Sequence, residues 1–172
     1  IIGLLIPASP ASAQPENIPT RPIEEPPLEI STPFKFTPFT EDLPIPALAQ
    51  KVAPFSNPCN EEFRGLNLEE PEFYRVVMKE GTHQIIPGID TTIWGYNGTF
   101  PGPTFKVRHN VPAIVEFVNE LNATTIVHNH GGHIGSRSDG SADLHPDMLI
   151  HPSKSRIFCY PNIAPIEEGV QQ

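Results

Sequence analysis

His128 and His130 stand one residue apart in Thr125-Ile126-Val127-His128-Asn129-His130-Gly131-Gly132-His133, and Ser138-Asp139-Gly140 follows shortly after. Alternate side chains of a strand share a face, so this spacing predicts two imidazoles aimed the same way, their Cα atoms roughly 6.5–7 Å apart. Neutral imidazole is a ligand for copper, zinc, iron or nickel, which makes the pair half of a metal site. The plain alternative is a strand with two exposed or hydrogen-bonded histidines. Gly131 and Gly132 remove side chains where the backbone must turn sharply or pass close to another group. Asp139 offers a carboxylate for proton transfer or, more simply, a turn residue before Gly140.

The elements that must position these residues read as short strands. β-branched and aromatic residues gather at 72–78, and extended segments follow at 81–86 and 91–96. The second of these runs into Asn97-Gly98, a pair that tolerates the positive φ of a tight turn. Further strands are expected at 104–107, at 111–118, at 125–127 leading into His128, and at 154–160. In the segment 111–118, Val111, Ala113, Val115 and Phe117 fall on one face, as suits a sheet lying on a core. Helical periodicity of useful length is absent. Short strands about ten residues apart, punctuated by Gly, Pro and Asn, predict an all-β sandwich or barrel.

Three segments are expected. Residues 1–13, apolar and then small-residue-rich through Ala11-Ser12-Ala13, resemble the end of an export signal with its cleavage site, too short to span a bilayer. Residues 14–37 are Pro-rich and read as a linker, and 38–172 form the folded domain. A net charge of −9 excludes nucleic acid and anionic membrane surfaces as natural partners, since both require basic patches. Cys59 and Cys159 suit an oxidising compartment and could pair, although sequence alone does not pair them.

Three metal chemistries compete for the histidines. A zinc hydrolase of the metallo-β-lactamase type needs His-x-His-x-Asp-His, and Gly132 stands where its Asp belongs. A cupin needs a Glu soon after the pair, and 131–135 supplies none. Copper is the third. Here a resemblance enters: Leu43-Pro44-Ile45-Pro46, the run from Trp94-Gly95-Tyr96-Asn97-Gly98 to Pro103-Thr104, Val127 to Gly132, Ser138-Asp139-Gly140 and Tyr160-Pro161-Asn162 occur in the order seen in bacterial spore-coat laccases and bilirubin oxidases. The chain resembles the N-terminal cupredoxin domain of a multicopper oxidase, from about Phe39 to Asn162.

The resemblance implies a cupredoxin-like Greek-key β-sandwich or barrel, incomplete at its C-terminal end, behind a Pro-rich extension. It implies a parent oxidase of phenolic or similar small reductants, in which a type-1 copper feeds electrons to a trinuclear cluster that reduces dioxygen to water. His128 then inherits the type-2 copper, His130 a type-3 copper, and Asp139 the relay of protons to reducing oxygen. Two departures are visible: Asn129 replaces the Leu or Trp common between the ligands, and Ser141 to Asp147 replaces the aromatic that follows the Asp-Gly. No second His-x-His follows Tyr160-Pro161-Asn162 before Gln172, and the motif with the type-1 Cys is missing. The chain is therefore read as an exported fragment whose partners are the other cupredoxin domains of the same protein. A non-enzymatic copper-binding module is the rival. His83, His109, His133, His145 and His151 have no counterpart among the family's ligands and read as surface or strand-edge residues.

Overall fold

The computed structural model describes residues 42–132 and 134–163. The expected signal remnant, the linker at 14–37 and His133 lie outside the described residues. β1 spans Glu72–Ile86, β2 Ile89–Tyr96, β3 Ala113–Asn119 and β4 Lys154–Tyr160, with one short helix, α1, at Ser136–Asp139 and a 3-10 turn at Pro146–Met148. The four strands make one mixed sheet in the order β2-β1-β3-β4. β1 and β2 are an antiparallel hairpin, whereas β1 and β3 run parallel with Glu72 opposite Ala113 and Met78 opposite Asn119. Parallel neighbours need a long connection, and 97–112 supplies it. β4 then returns antiparallel to β3, pairing Ala113 with Tyr160.

Alternation along the strands divides the apolar residues between two faces. Tyr74, Val76 and Met78 of β1, Ala113, Val115 and Phe117 of β3 and Phe158 of β4 pack together with Val127, Met148 and Ile150. Ile114, Phe73, Cys59 and Cys159 form a smaller cluster. Each large side chain buried here contributes about 1.5–3 kcal/mol. The shared face predicted for Ala113, Val115 and Phe117 is the one observed, and the all-β expectation holds.

Two expected strands are not ladder strands. At 104–107 only Thr104 makes a bridge, to Leu48, because Pro101 and Pro103 strip donors from the approach. At 125–127 only Thr125 is bridged, to Ile150. The separate strands expected at 72–78 and 81–86 are one continuous strand. Gly81 lies inside it because a Cβ there would come within 2.1 Å of the Gly98 carbonyl oxygen, where the 97–100 turn folds back over the hairpin.

One buried polar residue ties the sheet to the histidine segment. Asn119, fully buried at the end of β3, donates from its amide nitrogen to the carbonyls of Ala123 (2.8 Å) and Ile150 (2.7 Å) and accepts from the Leu121 amide (2.9 Å). Such a saturated amide fixes the turn that delivers Thr125 to its bridge.

Candidate metal centre

Val127 is 6% exposed, and the alternate residues define the opposite side: His128 and His130 both point outward. Their ring centroids lie 5.7 Å apart with the planes nearly perpendicular. The expected common orientation is present, although the segment is held by something other than a neighbouring strand.

That something is α1. The Asp139 carbonyl oxygen accepts from the Asn129 amide (3.2 Å) and lies 2.6 Å from Nδ1 of His128. A carbonyl can only accept, so this bond puts the ring proton on Nδ1 and leaves the Nε2 lone pair free. The Asp139 carboxylate sits on the same side, 3.6 Å from Nδ1. Asp139 is thus brought to His128 twice, by backbone and by side chain. The helical turn is closed by the Asp139 amide donating to Gly135 (3.0 Å) and stopped by Gly140 in the left-handed region at φ 78°.

Beside the histidines lies a cavity of about 390 Å³, lined by Val76, Tyr96, Phe105, Val107, Phe117, Val127, Tyr160 and Asn162 as well as by the two imidazoles. Burial, reinforced by the nearby Tyr96, Asp139 and Glu62, pushes the Tyr160 phenol well above its ordinary range. Tyr160 lines the same cavity as the two imidazoles.

The donor set fits copper: two outward imidazoles, one with its coordinating nitrogen selected by a backbone acceptor. It is an incomplete set, since among the described residues no group of three or more His, Cys, Asp or Glu side chains comes together. The remaining histidines lie elsewhere. His145 contacts the Ser136 hydroxyl (2.9 Å), His151 the Thr124 hydroxyl (2.9 Å), and His83 packs on Phe100 at 6.0 Å. Cys59 and Cys159 are joined in a disulfide, which removes both as thiolate ligands.

Two residues near the site were not singled out by sequence. Ser138 is fully buried, accepts from the Cys159 amide (2.9 Å) and donates to Glu62 (2.8 Å). Ser138 was visible only as a member of its motif, and Glu62 carried no signal, being separated from it by 76 positions.

A β-sheet domain carrying an outward His-x-His backed by an Asp-Gly turn is the arrangement expected of a cupredoxin-like domain. The family model for multicopper oxidase matches residues 77–164, and this chain belongs to that family. A bilirubin oxidase from Albifimbria verrucaria is 34% identical over 72% of this chain and 20% of its own length. A laccase from Bacillus subtilis is 32% identical over 72% of this chain and 27% of its own. Among solved structures, a laccase from Pediococcus acidilactici superposes with a TM-score of 0.56 at 27% identity, covering 73% of this chain and 24% of that one. The chain therefore spans about a fifth to a quarter of the length of the relatives it matches.

Proposed function

We propose that this chain is the portion of a copper-dependent oxidase that supplies His128 to a type-2 copper and His130 to a type-3 copper of a trinuclear cluster. The observation that carries this reading is the bond between His128 Nδ1 and the Asp139 carbonyl, which leaves Nε2 available beside a second outward imidazole. Copper, when bound, passes electrons singly from a reductant to dioxygen. The residues present bind and orient: His128 and His130 offer nitrogens, and the apolar wall of Val127, Val115 and Phe117 limits water at their base. Asp139 holds a carboxylate within reach of His128 and is the group through which protons reach reducing oxygen. The reductant is a phenolic or similar small molecule, docked near a type-1 copper in another domain of the same protein. Export suits both the apolar N-terminal run and the disulfide. No helix among the described residues is long and apolar enough to cross a membrane.

A second reading is a copper-binding module without catalysis, favoured by the absence of a third ligand among the described residues. Replacing His128 and His130 together by Ala in the full-length protein separates the two. Loss of the cluster copper with an intact blue type-1 band is the expected result. Unchanged copper content refutes the ligand assignment, and a full-length protein lacking any blue band favours the module.

A further inference from the structure

His128 owes its orientation to a carbonyl oxygen on a four-residue helix, and such a helix has too few internal bonds to hold itself in place. Its anchor must come from outside. Exposed ties run from Ser136 to His145 and from Arg137 to Asp147; of the less exposed ties, the sheet supplies one and the disulfide-bearing turn another, and both end on the same hydroxyl. We propose that Ser138 is a positioning residue for His128, acting with Glu62 as a bracket that fixes α1 so that the Asp139 carbonyl selects the ring tautomer. This rests on the reading of His128 as a copper ligand.

The bracket is built from buried parts. Ser138 Oγ accepts from the Cys159 amide in β4 at 2.9 Å and donates to Glu62 Oε2 at 2.8 Å, and the residue is fully buried. Glu62 belongs to the turn that begins at Cys59, where the Phe63 amide donates to the Cys59 carbonyl at 2.9 Å. Cys59 is itself fully buried and bonded to Cys159. The hydroxyl therefore spans the two chain segments that the disulfide joins, and Asp139 is the next residue along. A β4 amide proton would otherwise be buried without an acceptor, so the bond to Ser138 is one the fold is obliged to keep. On the far side, Gly140 lets the helix end press against Val127, which sets the depth at which the carbonyl meets the ring. Helix position is thus fixed from both directions, and His128 has one partner geometry to adopt. Free imidazole in water distributes its proton between two nitrogens, whereas a bond to a carbonyl assigns it to one.

The test reads the tautomer directly and needs no metal. Long-range 1H–15N correlation spectra of the 15N-labelled 172-residue chain, at a pH where imidazoles are neutral, distinguish Nδ1–H from Nε2–H. The unaltered chain should show His128 as Nδ1–H. Ser138→Ala should lower the ratio of Nδ1–H to Nε2–H about fivefold, the change that loss of an ordinary hydrogen bond brings. His151, whose ring is bonded to the Thr124 hydroxyl, should not respond. Should Ser138→Ala fail to fold, Glu62→Ala decides, because Glu62 is half-buried outside the core and removes one arm of the bracket. It should move the ratio in the same direction. An unchanged ratio in the folded variant, or an Nε2–H ring in the unaltered chain, overturns the proposal. Copper(II) added to the unaltered chain tests the other reading separately: broadening should be confined to His128 and His130. Absence of that broadening alongside the predicted tautomer change sinks the copper assignment while the bracket stands.

Discussion

Gly140→Ala isolates the contact on which the geometry of His128 depends. Gly140 has φ 78°, and a Cβ built on it would lie 1.8 Å from the Val127 carbonyl oxygen, 2.7 Å from the carbonyl carbon and 3.1 Å from the His128 Cα. All three are backbone atoms, so no side-chain rotation relieves them. The left-handed conformation alone costs an L-residue about 1–2 kcal/mol. Forcing the two segments apart adds about 1–3 kcal/mol of overpacking. The bonds from Asn129 and His128 to the Asp139 carbonyl cross this same contact, and losing them costs about 1 kcal/mol each. The total, about 4–7 kcal/mol, is a large share of a domain's usual 5–15 kcal/mol. Gly88→Ala is the control, with φ 77° and nothing within 4 Å of its added Cβ. It should lose only the conformational part, about 1 kcal/mol after the gain from a stiffer unfolded chain. Urea denaturation followed by far-UV circular dichroism gives both values. Equal losses in the two variants would refute the close approach and with it the account of how the Asp139 carbonyl is placed.

Two further outcomes follow from the fold. Cys59 and Cys159 are 100 residues apart in sequence, so closing that loop in the unfolded chain is worth about 4.7 kcal/mol by the chain-entropy model. Replacing both by Ser should lower Tm by about 15–20 °C, and calorimetry showing a fall of only a few degrees would mean the link does not constrain the unfolded chain. The second concerns acid. The Lys51 ammonium, 2.6 Å from Glu72, and then the Tyr74 hydroxyl hold the Glu72 carboxyl below the usual carboxylate range. A depressed folded value gives stability that is present above the unfolded pKa, near 4.5, and is lost as pH falls below it. Lys51→Met should therefore shrink the difference in urea midpoint between about pH 6 and about pH 3. Superimposable acid limbs for the two proteins would show that the pair does not couple to folding.

What the sequence conveys about this domain depends on the range over which each pattern acts. The two-residue period is strong in β3, and it sorts Ala113, Val115 and Phe117 from Ile114 as the structure does. The same period places His128 and His130 on one side, opposite the buried Val127. α1 is invisible to pattern, since four residues complete barely one helical turn and carry no periodicity. The disulfide and the Ser138–Glu62 bond escape for another reason: partners 100 and 76 residues apart are related only by the fold. Gly81 misleads in the opposite direction, because a glycine demanded by close approach looks, in sequence, like a break in the strand.

The histidine segment explains why a turn well beyond the motif belongs with the histidine pair. A ligand pair on a ladder strand would have its backbone donors consumed by a neighbour, and the sheet would set its position. Here the only bridge in the segment is Thr125 to Ile150, and the next backbone amide with an assigned acceptor, that of Asn129, donates to Asp139. The position of His128 is accordingly set by 135–140, a stretch whose own geometry comes from Gly140, Ser138 and the disulfide-linked turn. Variation in that turn should therefore alter the histidine pair before it alters the sheet, and the departures at 141–147 bear on it directly, since His145 meets the Ser136 hydroxyl and Asp147 pairs with Arg137 of α1.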